Sequence, residues 1–268
     1  MQQFLLRTSH RPRPLPPGRW VVTERWNDLL FAHWPLPAQT LTPLLPPELM
    51  VDLWEGSAWL GVAPCWIDRI KFRGLPALPG GRSRPGLNMR TYVRDRQSGA
   101  PGVFLLSMET NSLLAAGVGR FIYHLPYHLA EMVLEQRSER EFEFYSRRHF
   151  SAEPVLFKAR YRGLGPTRRL AEMRPGALES FLLERYSVFM RNRAGATLRA
   201  HLHHVGWPLE EAEAEIEQND LPAAAGIRLP GCEPVFFYAR RMAAYIWPME
   251  RVTASVSARP VTVAVTPS

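Results

Sequence analysis

Cysteine is nearly missing from these 268 residues: Cys65 and Cys232 are the only two, and they show neither CxxC nor Cys/His metal-ligand spacing. A disulfide framework and a zinc ribbon are thereby excluded, and both thiols are expected to be buried. Lysine is as scarce, with Lys71 and Lys158 alone among 33 basic residues. Apolar runs are short. None approaches the roughly 18 residues that cross a bilayer, and Phe4–Leu6 is too brief for a signal-peptide core, so a cytoplasmic protein with no membrane association is expected. GxGxxG, GxxxxGK[ST] and HExxH patterns are also missing, which sets aside dinucleotide, P-loop and zincin chemistry; no cofactor and no metal are expected.

What is present is a net charge of +8, a hydrophobic content of 46% and an aromatic content of 11%. Such a balance folds one elaborated domain. The arginines are scattered from Arg7 to Arg259 without a basic run or a helix-turn-helix, zinc-finger or RNP signature, so no nucleic-acid partner is expected. Residues 1–19 carry Pro12, Pro14, Pro16 and Pro17 among arginines and read as an extended, solvated arm. A single domain is expected over 20–247, and 248–268 reads as an edge strand or a tail.

Within the domain, Asn27–Trp34 reads as a buried strand and Ala38–Leu45 as a short helix. Leu49–Trp54 and Ser57–Ile67 read as a hairpin turning at Glu55-Gly56. Residues 74–86 form a Gly/Pro-dense loop. Leu87–Val93 alternates, with Asn88, Arg90 and Tyr92 on one face, and pairs with Gly102–Thr110. Leu113–Tyr123 is predicted helical up to Pro126. Tyr127–Glu135 and Phe142–Arg147 form a second hairpin, followed by a strand at Val155–Arg162. Apolar spacings of three and four predict a helix over Pro175–Met190. Thr197–Val205 and Pro234–Tyr238 read as strands, and Leu209–Asn219 stays unassigned. Many hairpins with few helices and no βαβ alternation give an α+β, predominantly β fold: an antiparallel sheet curled into a barrel or cone, with peripheral helices.

The densest chemistry lies in Gly119–Ala130, GRFIYHLPYHLA, where Tyr123, His124, Tyr127 and His128 cluster about a proline. His124 and His128 have helical metal-ligand spacing, but Pro126 breaks the helix that would align them; His201, His203 and His204 form a second cluster without a carboxylate motif.

Five ordered stretches, WNDLLFAHWPLP, LNMRTYV, LPYH, FLLERY and HHVGWPL, resemble the YqjF-like family, domain-of-unknown-function family 2071, across most of residues 20–247. That family is similar to the acetoacetate decarboxylase-like superfamily, and the resemblance implies a mostly antiparallel β-barrel with outer helices and an internal pocket. Acetoacetate decarboxylases carry a G-R-E-x-[YF]-G-[YF]-P-K-K pattern whose first lysine forms a Schiff base and whose second lowers its pKa. Here Tyr127 stands at the first lysine and His128 at the second. A phenol forms no imine, so Schiff-base decarboxylation is expected to be absent.

If the barrel holds a pocket, Asn88 and Arg90 are its expected ligand-binding wall, with Arg90 gripping a carboxylate or enolate. The alternative is a buried Arg90–Glu109 ion pair, and both stay open at this stage. Tyr127 and His128 point to opposite faces of a strand, so one at most meets a given cavity; the resemblance favours Tyr127. His33 reads as a hydrogen-bonded core histidine, and Tyr186 as part of the helix's apolar stripe. Two functions compete. One is a binding protein for a small carboxylate, carbonyl compound or aromatic ligand, using Asn88, Arg90, Glu109, Tyr127 and His128. The other is a lysine-independent lyase, hydratase or decarboxylase-like enzyme for a small oxo-acid, with Tyr127 or His128 as general acid or base. The binding reading is preferred, and a homo-oligomer is compatible with either.

Overall fold

A computed structural model describes residues 2–75, 83–117, 126–169 and 176–253. Its strands are β1 (Val22–Leu36), β2 (Leu49–Val51), β3 (Ala58–Phe72), β4 (Arg84–Asp95), β5 (Pro101–Thr110), β6 (Tyr127–Gln136), β7 (Glu141–Arg148), β8 (Leu156–Gly163), β9 (Arg168–Arg169), β10 (Ser187–Arg191), β11 (Thr197–His203), β12 (Pro208–Asn219), β13 (Val235–Ile246) and β14 (Glu250–Arg251). Short helices decorate them, and among the described residues none is longer than the six residues of Leu178–Leu183. The fold is predominantly β, as the hairpin pattern implies.

Strand pairing closes the sheet twice. A nine-strand ring runs β5-β6-β7-β8-β12-β13-β1-β3-β4 and back to β5; a seven-strand ring runs β5-β10-β11-β13-β1-β3-β4 and back to β5. The two share the wall β13-β1-β3-β4-β5. A strand in that wall has an interior on each side, so both of its faces must be apolar. This is why Leu29–Trp34 reads LLFAHW, apolar but for the hydrogen-bonded His33, and every residue in it is buried.

The nine-strand ring is filled by side chains, among them Leu30, Trp34, Phe144, Phe157 and Tyr161. Its outer face explains much of the arginine. On β12, Ala212, Ala214 and Ile216 pack inward while Glu213 and Glu217 meet Arg162, Lys158 and Arg160 of β8. These are exposed cross-strand pairs, each worth a fraction of a kcal/mol up to about 1.

The seven-strand ring keeps a cavity, and a local irregularity decides what lines it. Asp28 adopts φ +47°, and β1 gains one residue relative to β3 between Asn27 and Ala32. The face turned to the cavity therefore changes parity: Glu24 and Trp26 before the bulge, Leu29 and Phe31 after it. Two tyrosines of the filled ring pin this point. Tyr161 Oη donates to the Asp28 carbonyl at 2.7 Å, and Tyr238 Oη donates to Asp28 Oδ1 at 2.7 Å. Elsewhere the ring closes through a close approach of β5 to β10: a Cβ on Gly102 would lie 2.5 Å from the Ser187 carbonyl oxygen.

Several expectations are corrected. The helix predicted over Pro175–Met190 is helical only at Leu178–Leu183, and Ser187–Arg191 is a strand parallel to β5; ring closure outweighs a helical apolar spacing. The unassigned Leu209–Asn219 is strand. The turn at Glu55-Gly56 is present with both residues at positive φ, but β2 pairs with β4 and not with β3. Cys65 is buried as expected, whereas Cys232 is exposed. The proline-rich arm is not solvated along its length: Phe4, Leu5 and Leu15 pack on Trp20, Tyr245 and Trp247. Of the helix expected at Leu113–Tyr123, Leu113–Gly117 is observed, and 118–125 lie outside the described residues, as do 76–82 of the long loop.

The bulge makes a testable ordering. Asp28→Ala removes the acceptor of Tyr238 and places a Cβ-bearing residue without a polar side chain at positive φ, and should cost about 2 kcal/mol by urea unfolding. Asp28→Gly loses only the acceptor and should cost less, and Asp28→Asn least. Equal losses for Ala and Gly would show that the backbone geometry is not the constraint.

Candidate functional site

The cavity has a volume of about 250 Å³. Its walls are largely apolar: Leu29, Phe31, Leu105, Met108, Leu202 and Trp207 are among them. Trp207 lies parallel to Trp26 at 5.8 Å and edge-on to Phe31 at 5.1 Å, and its Nε1 donates to the Leu183 carbonyl at 2.8 Å. An indole so fixed offers a rigid aromatic surface.

Polar groups enter this wall from β4. Alternation along the strand sends Arg84, Asn88 and Arg90 to the cavity, with Gly86 between them. Arg90 lies with its Cζ 5.2 Å from the Phe31 ring centroid. Its Nε is buried without a hydrogen-bond partner, as is Oδ1 of Asn88, whose amide ends exchange by a flip. Behind Arg90, His33 is fully buried and its Nε2 lies 2.7 Å from Tyr92 Oη, which makes it the hydrogen-bonded core histidine expected. Burial first, and then the charge of Arg90, hold His33 well below its ordinary pKa. Neutral His33 and the Tyr92 hydroxyl share one hydrogen bond.

The ion pair considered for Arg90 does not form. Glu109 is opposite Leu87 and His128 in the register, and it is bound by Arg148, whose Nη2 donates to Oε1 at 2.6 Å. A bulge between Met89 and Arg90 displaces the register of β4 on β5, and Arg90 comes to stand opposite Leu105. Glu109 touches the cavity margin with its charge already matched. Tyr127 does line the cavity, and burial pushes its phenol up to about 12, with the nearby Glu24 adding to the rise. Its neighbour His128 alternates away and is not among the described residues lining the cavity. Tyr123 and His124 lie outside the described residues.

Glu24 and Arg84 were not singled out from the sequence. Both stand at the ends of strands, where only the period-two spacing of Glu24 with Trp26 and of Arg84 with Asn88 marks them. Burial raises the Glu24 carboxyl above its ordinary range, opposed by the hydrogen bond from Trp26 Nε1 at 2.7 Å and by the charge of Arg84. Arg185, also on the wall, is spent structurally: its Nη1 donates to Asp52 at 2.6 Å in a buried pair. Neither lysine lines the cavity. Lys158 pairs with Glu217 on the outer face, and Lys71 is exposed near the end of β3.

The far wall leads to the N-terminal arm. His204 lines the cavity, stacks on Tyr186 at 4.7 Å, and Arg11 of the arm covers Tyr186 with its Cζ at 4.1 Å. Arg11 also donates to the Leu202 carbonyl at 3.0 Å, and His10 Nε2 donates to the His204 carbonyl at 2.8 Å. Burial lowers His204 to about 3 and His203 to about 4, so both are neutral hydrogen-bonding groups at neutral pH. Among the described residues, no three His, Cys, Asp or Glu side chains are grouped as metal ligands. Beside the stack, Tyr186 Oη donates to Glu184, whose other oxygen is buried without a partner.

Two predictions follow from this geometry. With no lysine on the described wall, borohydride treatment in the presence of pyruvate or acetoacetate should leave the intact mass unchanged; a stable adduct on Lys71 or Lys158 would contradict it. Burial lifts Glu184 from 4.5 to about 7, so between those values the folded chain holds a proton that the unfolded chain releases, and stability falls as pH rises. The stability of Glu184→Gln relative to the parent should therefore increase from 4.5 to about 7 and then level off; a pH-independent difference would refute the assignment.

Against known proteins, residues 23–243 match the family DUF2071, described as an uncharacterized conserved protein. The uncharacterized protein YqjF of Bacillus subtilis (strain 168) is 35% identical over 237 residues, which span 88% of this chain and 95% of that protein. Among solved structures, the enduracididine biosynthesis enzyme MppR complexed with pyruvate superposes with a TM-score of 0.58 at 11% identity, covering 88% of this chain and 91% of that one. Acetoacetate decarboxylase from Legionella pneumophila gives 0.55 at 16% identity, covering 92% and 94%. An acetoacetate decarboxylase-like enzyme from Sphingomonas wittichii RW1 gives 0.58 at 13%, covering 89% and 98%. At such identities the likeness is one of fold.

Proposed function

The chain belongs to the DUF2071 family of uncharacterized conserved proteins, and on its acetoacetate decarboxylase-like fold we propose a binding protein for a small organic carboxylate with an apolar, aromatic body. The observation that carries this reading is the state of Arg90 and Asn88. Both residues line a largely apolar cavity, and each carries a buried polar atom without a partner. An unmatched buried donor costs about 1–3 kcal/mol, and a ligand carboxylate recovers that cost by accepting from the guanidinium and, with the Asn88 amide flipped, from its Nδ2. The cavity volume of about 250 Å³ lies just under the range of roughly 300–1,000 Å³ that suits drug-sized ligands, and so favours a small one. That MppR has been solved with pyruvate, itself a small carboxylate, agrees with this class of ligand.

Binding without turnover is favoured over the lysine-independent enzyme by the acid–base groups. Tyr127 is held neutral, a donor of hydrogen bonds and a poor base, and His128 stands beside Glu109 on the other side of the strand from Tyr127.

Titration of the protein with phenylpropionate should show saturable binding, and Arg90→Met should weaken it at least tenfold without lowering the thermal midpoint. An NMR spectrum of the ligand should be unchanged after prolonged incubation. Equal affinity in Arg90→Met would remove the basis of the reading, and consumption of the ligand would favour the enzyme.

A further inference from the structure

On the far wall, His204 brings to the cavity a polar atom that the fold leaves unused. Its Nδ1 lies 2.8 Å from the Val205 carbonyl oxygen, and a carbonyl only accepts, so the proton of the neutral ring sits on Nδ1. Nε2 is then a lone-pair acceptor. Burial lowers the pKa of the ring to about 3, which makes this neutral tautomer the form present at neutral pH. Among the described residues, Nε2 has no hydrogen-bond partner. Nor can the ring turn that atom elsewhere, since a half-turn would forfeit the bond to Val205. One face stacks on Tyr186 with centroids 4.7 Å and planes 24° apart, and Trp207 approaches to 4.9 Å. Arg11 of the arm covers Tyr186 in turn, and His10 Nε2 donates to the His204 carbonyl, so stack and backbone are both held from outside. With Cγ joined to the backbone and Nδ1 on Val205, the edge left to face the cavity carries Cε1 and Nε2. His204 is 1% exposed, so that edge does not look out onto bulk solvent.

Arg90 is within the length of one small ligand. Its Cζ lies 5.2 Å from the Phe31 ring, Phe31 lies 5.1 Å from Trp207, and Trp207 lies 4.9 Å from His204. The guanidinium and the imidazole are therefore no farther apart than these three contacts laid end to end, and the rings between them are a wall for a flat body. What meets Nε2 must be a donor. A second carboxylate would set acceptor against acceptor, and an alkyl edge would leave the lone pair unmatched. A hydroxyl donates but brings acceptor lone pairs of its own, which the adjoining Trp207 N–H, spent on the Leu183 carbonyl at 2.8 Å, does not serve. An aromatic N–H is a donor only and leaves nothing over.

We propose that the ligand of this cavity is an aromatic acid with a ring N–H, of the indole or pyrrole class, whose carboxylate is held by Arg90 and Asn88 and whose N–H donates to His204 Nε2. This rests on the carboxylate reading above and adds to it the chemistry that the far wall selects.

Calorimetric titration of the full chain with indolepropionate and with its benzothiophene analogue, in which sulfur replaces the N–H, tests it. The indole acid should bind about tenfold more tightly, as one hydrogen bond gained in a buried site allows. His204→Phe keeps a flat ring in the stack and should bring that ratio to one, while Arg90→Met should weaken both acids in parallel and preserve it. Long-range proton–nitrogen NMR of the unaltered protein gives a readout that does not depend on the folding of a variant. It should show His204 as the Nδ1–H tautomer, with its Nε2 resonance displaced by the indole acid and not by the sulfur analogue. A ratio of one with Arg90-dependent binding, or an Nε2–H tautomer, overturns the role of His204 and leaves the carboxylate anchor standing. Binding of neither acid, or binding indifferent to Arg90, overturns the anchor and the present inference with it.

Discussion

The positive φ of Asp28 is the constraint on which the interior depends. A strand shared by two closed rings has to serve two interiors, and simple alternation would present the same parity to each along its whole length. The bulge at Asp28 breaks that rule once, so that Glu24 and Trp26 from one half of β1 and Leu29 and Phe31 from the other face a single cavity. The hydroxyls of Tyr161 and Tyr238, rooted in the filled ring, hold the bulge from the opposite side. Packing in one ring thus fixes the lining of the other.

The two interiors are made to different standards. The nine-strand ring is closed by interleaved aromatic and aliphatic side chains, as a core built for stability would be. The seven-strand ring holds empty volume, a guanidinium with an unmatched Nε and an amide oxygen without a partner. Each of these features lowers stability, and filling the space with leucine would remove all of them. Stability forgone in one place while the neighbouring ring is packed tightly is the physical mark of a site. The N-terminal arm belongs to that site's support: Arg11, Tyr186, His204, Trp207 and Trp26 form a continuous stack from the outer surface to the cavity.

Much of this was legible in the residues. The run Asn27–Trp34 marked a buried strand, and the alternation of Leu87–Val93 put Asn88 and Arg90 on one side, where the cavity is found. Tyr127 was found through a motif and lines the cavity. What failed did so for stated reasons. Leu178, Phe181, Leu182, Tyr186 and Phe189 mimic a helical stripe, but the last two flank and form a strand whose place is set by the following β11 and by β5, which is far away in sequence. The glutamates of β12 alternate with Ala212, Ala214 and Ile216, a period of two hidden by the low apolarity of alanine. Whether Arg90 pairs with Glu109 stayed open in the sequence because it turns on register: Glu109 stands opposite Leu87, not Arg90, and meets Arg148 of β7. Glu24 and Arg84 gain meaning only from the register that sets β1, β3 and β4 side by side.

The central claim is that the seven-strand ring encloses a carboxylate-binding cavity anchored at Arg90. A crystal structure of the protein grown with phenylpropionate tests it most directly. The account predicts the ligand inside that ring, its carboxylate within hydrogen-bonding distance of the Arg90 guanidinium and its phenyl ring against Phe31 and Trp207. A cavity closed by side-chain rearrangement, or a ligand bound with its carboxylate away from Arg90, would contradict it.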